Sequence, residues 1–284
     1  PGGGLDIIGR LVGDRMTKSL GQSIIVENRA GAGGNIASEY VARAPADGYT
    51  LLETTNNHNI NAFIYKNPGY NPRRDFVAVT QLTEAPSVLV AGAQTAYRSV
   101  RDLIAAARAQ PGKIAYASGG SGQPTHIAGE MFKKTANIDL VHVPYKGGGP
   151  ATLDLVAGQV PVGMSALPSV TPYIQDGKLR ALAVTSDKRW PTLPDTPSVA
   201  ESGYPGYRHL TWIGILAPTG TPAAIIARLN KDIAAVLANP EVRQRIVTLG
   251  AEPVASSVAE FEAMLKAEYD VTAKLVSEIG LKVD

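Results

Sequence analysis

The 284-residue sequence contains no cysteine. That absence excludes a disulfide framework, a thiolate nucleophile and a cysteine-type zinc site, and it is compatible with an oxidising compartment. Histidine is scarce: His58, His126, His142 and His209 are all there are, and none pair at the spacing of a helical H-E-x-x-H metal site, so no metal is expected. No apolar run approaches the roughly 18 residues of a membrane-spanning helix, and no secretory leader is visible. Charge of either sign is modest. Lys and Arg total 27 against 25 Asp and Glu, leaving a net charge of +2 with the charges scattered. A nucleic-acid-binding surface would need clustered Lys/Arg with interleaved aromatics, and none is present. Also missing are a G-x-x-x-x-G-K-[ST] loop and a carboxylate pair with acid–base spacing.

What is present is a chain long enough for two domains, 44% hydrophobic and 18% charged, with 29 glycines. Leu5, Ile8, Leu11, Val12, Met16 and Leu20 recur at helical spacing up to Gly21. "SIIVEN", "GYTLLET", "FVAVTQL" and "SVLVAGA" read as strands, and Ile36–Arg43 and "INAFIYKN" as helices. The plan then repeats through "SVRDLIAAARAQ", "KIAYAS", "LVHVPY", "VPVGMSALPS" and "LRALAVTS" to "WIGILAP". Helices follow over about 221–238, 241–249 and 258–279, the last burying Val258, Phe261, Leu265, Tyr269, Val276 and Ile279. Alternating strands and helices predict an α/β fold in two lobes, each a mixed sheet flanked by helices. The stretch with Pro191, Pro194, Pro197 and Pro205 serves as a stiff connector. Lobe 1 is expected to comprise 1–85 and 210–284, and lobe 2 86–209.

Four junctions between strand and helix are glycine- or Asn-rich: "PGGG", "TTNNHN", "SGGSGQPTH" and "YKGGGP". Ligands of open α/β sheets bind beyond the carboxyl ends of strands. Glycine admits close backbone approach there, and a first helical turn offers unpaired N–H groups and a positive dipole end, which together bind anions. In "SGGSGQPTH", Ser118 and Ser121 add hydroxyls and Gln123 an amide, and Ser121 or Thr125 is placed to cap the helix. Ser121 is no nucleophile elbow, because Gln123 stands where G-x-S-x-G needs glycine. Nor is the loop a dinucleotide fingerprint, because Thr125 replaces the third glycine. His58 and His126 are positioned to donate to a ligand. Asp6, in a first helical turn, is either stabilised by the helix dipole or in contact with a ligand hydroxyl or cation.

The segments "PGGGLDIIGRLV", "IIVENRAGAGGNIASEYVARAPADGYTLL", "YASGGSGQPTHIAGEMF", "VHVPYKGGGPATLDLVAGQV" and "GKLRALAVTSDKR" resemble the Bug family of periplasmic solute receptors of tripartite tricarboxylate transporters. The resemblance runs from Pro1 to Asp284. It implies a type II-like periplasmic binding protein without cofactor, metal or catalytic residue. Such a monomer would close two lobes on a small carboxylate and deliver it to membrane transporter subunits. It further implies that Gly2, Gly3 and Gly4 in one lobe, and Ser118, Gly119, Ser121, Gly122 and Gln123 in the other, hold a carboxylate, with Tyr145 and His126 beside them. Thr55, Asn56, Asn57 and His58 would supply neutral donors to a second carboxylate. Many relatives carry an Asp-Asn pair where this chain has Ser165 and Ala166, which points away from amino acids and toward dicarboxylic or aromatic acids. Relatives also carry a leader and a strand ahead of "PGGG" that this chain does not show. Two alternatives stand beside this expectation: a sensor of the same fold feeding a signalling partner, and a hydrolase using Ser121 with His126.

Overall fold

A computed structural model describes residues 4–280 of the chain. In chain order the elements are α1 (Gly4–Leu20), α2 (Asn35–Ala42), β1 (Leu52–Thr55), α3 (Asn57–Ile64) and β2 (Phe76–Gly92). Next come α4 (Val100–Ala109), β3 (Ala115–Ser118), α5 (Pro124–Ala136), β4 (Val141–Pro144), α6 (Gly148–Val156), β5 (Val162–Ala166), α7 (Leu167–Gln175) and β6 (Leu179–Val184). The chain ends with β7 (Leu210–Pro218), α8 (Ala223–Ala238), α9 (Pro240–Thr248), β8 (Glu252–Pro253) and α10 (Val258–Ile279). Two compact units result: Pro1–Glu84 with Trp212–Val247 and Glu252–Asp284, and Ala85–Thr211 with Thr248–Ala251. The short return Thr248–Ala251 belongs to the second unit, a detail the sequence does not signal.

In the first unit β1 pairs antiparallel with β7, and the early part of β2 pairs antiparallel with β8. Its core gathers Val41, Leu52, Tyr70, Phe76, Trp212, Leu216 and Phe261. Helix α10 starts on a capping box: Ser257 accepts the Glu260 N–H while the Glu260 carboxylate accepts the Ser257 N–H.

In the second unit the later part of β2 pairs antiparallel with β5 and β6, whereas β3 runs parallel to both β4 and β5. Side chains alternate across a strand. Leu89 and Ala91 therefore enter one core cluster with Leu103, Tyr116, Phe132 and Met164, while Val88 and Val90 enter another with Ala117, Leu155, Leu167 and Val184. Burial on both faces is why these strands read as unbroken apolar runs.

Two expectations are corrected. "FVAVTQL" and "SVLVAGA" form one strand, β2, through Pro86. The proline falls between two ladders of this strand, pairing to β8 at Thr83–Glu84 and pairing to β5 from Ser87 onward. "SIIVEN" is not a strand. No strand among the described residues runs beside it, and a sequence of high strand propensity has no ladder to join without a partner. Its Ile25 side chain is 86% exposed, and its Ile24 N–H donates to Thr17 Oγ1 at 3.0 Å.

Candidate functional site: glycine loops at helix N-termini

Because β3, β4 and β5 are mutually parallel, the loops after them leave from the same end of the second unit's sheet and feed α5, α6 and α7. The first two loops are tied together by backbone. Tyr145 N–H donates to Ser118 O at 3.2 Å, and Gly147 N–H to Gly119 O at 2.9 Å. Only glycine serves at position 120: its φ is +137°, and a Cβ would lie 2.8 Å from the Tyr145 carbonyl oxygen. A Cβ on Gly119 would lie 3.6 Å from Gly148 N, and one on Gly148 3.1 Å from Ser169 Oγ. The first turns of α6 and α7 and the Ser118–Gln123 loop thus meet around Gly119, Gly148 and Ser169. Ser169 was missed from sequence, since a serine two residues past a helix start carries no distinctive signal.

Most donors of the Ser118–Gln123 loop are spent on holding its own shape. Gly119 N–H donates to Thr125 Oγ1 at 3.1 Å, Gly120 N–H to Ser118 Oγ at 3.2 Å and Gly122 N–H to His126 Nδ1 at 3.0 Å. Gln123 N–H donates to Gly120 O at 3.2 Å. The expected helix cap is therefore corrected: Thr125 receives a loop N–H, and the N-cap residue Gln123 makes no side-chain cap. Ser118 is 1% exposed, and its hydroxyl faces His142 Nε2 at 2.6 Å rather than solvent. Among the described residues the Ser121 hydroxyl and the Gln123 side-chain amide make no hydrogen bond, Ser121 being exposed and Gln123 half-buried. Tyr145 donates to Asp154 at 2.7 Å. Ser165 is buried beside Ala166, where β5 ends.

His126 stacks on His142 with ring centroids 3.7 Å apart, and burial pushes both imidazoles down to about 4. With its Nδ1 accepting from Gly122 and its Nε2 3.9 Å from Glu130 Oε1, His126 makes no bond to Ser121. The nucleophile–base pair that a Ser121 hydrolase requires is not formed.

In the first unit Gly2 and Gly3 lie outside the described residues. Gly4 opens α1 with open space around it. Asp6 accepts from Arg10 Nε at 2.9 Å and Asn28 Nδ2 at 2.7 Å, which favours the structural reading of that carboxylate. The run expected to take a second carboxylate is largely committed internally. Asn57 donates to Gly33 O at 2.9 Å and accepts from Thr55 Oγ1 at 3.3 Å. Asn56 donates to Glu268 Oε1 at 2.6 Å and accepts the Trp212 N–H at 3.2 Å. His58 is corrected outright. It is 1% exposed, packed against the Tyr70 and Phe76 rings at 5.3 and 4.8 Å, and pushed down to about 4 by burial. Its side chain is held between the Tyr70 and Phe76 rings, and the Tyr70 hydroxyl donates to the His58 carbonyl at 2.9 Å.

Glu268 is the residue that claims these amides, and the sequence held a signal for it. It falls between Leu265 and Thr272 on the buried face of α10, where a carboxylate needs partners. Among the described residues no cluster of metal-ligating side chains occurs, and no helix is long and apolar enough to cross a membrane.

Comparison with known proteins agrees with this architecture. The profile described as "Tripartite tricarboxylate transporter family receptor" matches residues 8–281. The solved structure of "R. palustris Rpa4515 with adipate" is 36% identical with a TM-score of 0.94, over 99% of this chain and 94% of that one. Periplasmic binding protein BugD is 34% identical with a TM-score of 0.92, over 99% and 95%. MatC (Rpa3494) from Rhodopseudomonas palustris with bound malate is 31% identical with a TM-score of 0.90, over 97% and 95%.

Proposed function

The chain belongs to the tripartite tricarboxylate transporter receptor family, whose members are periplasmic solute receptors, and from that premise we propose that it captures a small dicarboxylic or aromatic acid. In this reading the protein is a non-enzymatic monomer working in the periplasm. It takes the acid at the glycine loops of its second unit and hands it to membrane subunits of a tripartite transporter. One observation carries the proposal: the first turns of α6 and α7 meet the Ser118–Gln123 loop at Gly119, Gly148 and Ser169, with the Ser121 hydroxyl and Gln123 amide uncommitted.

The chemistry follows from what is free and what is fixed. The loop's own N–H groups hold a rigid frame, so the donors offered to a ligand are pre-positioned and lose little entropy on binding. Carboxylates suit this frame because the Gly148 and Gly149 N–H groups begin a helix, where the dipole favours negative charge. Charge-assisted hydrogen bonds are worth about 1.5–3 kcal/mol each. Three or four of them, after association costs, support micromolar binding at roughly −8 kcal/mol. Similarity to proteins solved with adipate and malate supports a dicarboxylate of that size. Ser165 and Ala166, in place of a carboxylate-bearing pair, suit an acid with no amino group.

Thermal-shift screening against C4–C8 mono- and dicarboxylates and aromatic acids tests the proposal. Adipate, malate or an aromatic acid is expected to raise the melting temperature, with amino acids ineffective. A panel in which no acid shifts the transition overturns it.

A further inference from the structure

Two stacked imidazoles, His126 buried and His142 half-buried, brace the glycine loop. His126 stands in the first turn of α5 and His142 on β4, with ring planes 9° apart. Each ring holds one strut of the loop. His126 Nδ1 accepts the Gly122 N–H at 3.0 Å. His142 Nε2 lies 2.6 Å from Ser118 Oγ, and that oxygen accepts the Gly120 N–H at 3.2 Å. An imidazole nitrogen that accepts an N–H carries no proton of its own, so the Gly122 contact fixes His126 as the Nε2–H tautomer.

We propose that His126 and His142 are positioning residues for this loop and hold it in shape only while both rings are neutral, so that acid loosens the seat of the ligand from within. The inference rests on the reading of the loop as the seat of a carboxylate. Protonating His126 at Nδ1 places two hydrogens head to head and breaks the Gly122 bond. Where His142 Nε2 accepts from the Ser118 hydroxyl, protonating that nitrogen reverses the contact and turns the hydroxyl proton toward the Gly120 carbonyl, 3.4 Å away. Two cations stacked at 3.7 Å repel, so the pair takes its second proton only with difficulty.

The surrounding charges are accounted for on every packed element. On α5, Glu130 lies 3.9 Å from His126 Nε2 and favours the charged rings, while Lys133, 2.9 Å from Glu130, opposes them. On β3, the Tyr116 hydroxyl donates to Glu130 at 2.6 Å and its ring lies 5.0 Å from His142. Behind it the Tyr207 hydroxyl is spent on Ala128 O at 2.7 Å. Burial outweighs the pull of Glu130 and keeps both rings neutral through the physiological range.

Nitrogen-15 NMR of the ligand-free protein from pH 8 to pH 4 tests the arrangement without any ligand. His126 should show the Nε2–H tautomer and a midpoint below 5, with the Gly120 and Gly122 amide resonances moving at the same midpoints as the rings. Rings that titrate near 6.5, or glycine amides that ignore them, overturn the inference. A second arm uses His126→Asn, whose Oδ1 can accept the Gly122 N–H without titrating, and His126→Phe, which cannot. With adipate as probe at pH 7, His126→Asn should bind within about threefold of the parent and His126→Phe at least tenfold more weakly. Equal affinity of the Asn and Phe variants overturns the positioning role. If adipate does not bind the unaltered protein, the acid giving the largest thermal shift serves as probe, and the NMR arm decides the brace by itself.

Discussion

Glu268 on α10 accepts the indole N–H of Trp212 on β7 at 2.8 Å, and the same carboxyl takes the side-chain amides of Asn56 at 2.6 Å and Asn59 at 2.8 Å. Three neutral donors converge on one buried acid, so the chain carries an internal carboxylate cradle filled by its own residue. Removing the acid takes one partner from each of the three donors, at about 1–3 kcal/mol apiece, although Asn59 Nδ2 keeps its bond to Leu265 O at 3.0 Å. Glu268→Ala is accordingly expected to lose at least about 3 kcal/mol of stability, read by urea unfolding followed through tryptophan fluorescence. Glu268→Gln, which keeps one acceptor, should lose less. An alanine variant as stable as the parent contradicts the clamp.

Glu53 gives the molecule a pH dependence of definite sign. Its carboxyl packs against Gly9 of α1, with Oε1 buried and without a hydrogen-bond partner among the described residues, and burial, aided by the Asp6 charge, pushes it up to about 8. A folded value above the ordinary 4.5 means that the fold prefers the protonated acid. Its contribution is complete below pH 4.5 and is lost as pH rises through about 8. Melting curves of Glu53→Gln should decline less than those of the parent between pH 5 and pH 9. Parallel declines contradict the assignment.

In the proposed site Ser121 and Gln123 are the side chains assigned to binding rather than bracing. Ser121→Ala and Gln123→Ala should each weaken acid binding about tenfold, the value of one charge-assisted hydrogen bond. Neither should move the melting temperature appreciably, since neither side chain is hydrogen-bonded among the described residues. Calorimetry returning undiminished affinity for both variants removes them from the site.

Gly214 on β7 faces the ring of Phe261, which is fully buried and meets Trp212 edge-on at 5.4 Å. A Cβ at position 214 would overlap that ring. Gly214→Ala should cost about 1–3 kcal/mol by overpacking, and Phe261→Leu made with it should recover part of the loss. Strictly additive losses would show that the two positions do not share space.

How much of this was legible in sequence depended on how local each feature is. The glycines of "SGGSG" and "YKGGG" announce their loops because a positive φ at Gly120 or Gly147 is a property of one residue. Strand and helix alternation likewise announced an α/β fold, since burial on both faces leaves continuous apolar runs. Contacts made across sequence were not legible. Nothing near His126 says that His142 will stack on it. The Asn56–Asn57 run looked like open donors until Glu268, far along the chain, proved to occupy one of them and Gly33 the other. "SIIVEN" shows the reverse failure, a local preference for strand that no neighbour satisfies.

The account stands on an organic acid being gripped by main-chain N–H groups and neutral side chains at the ends of parallel strands. The most direct measurement is a crystal structure of the protein grown with the acid that gives the largest thermal shift. A carboxylate oxygen is expected about 2.7–3.2 Å from donors of Ser121, Gln123 and the first turn of α6. An acid bound without touching Ser118–Gln123, Gly147–Gly149 or Ser169, or held through the Lys146 ammonium alone, contradicts it.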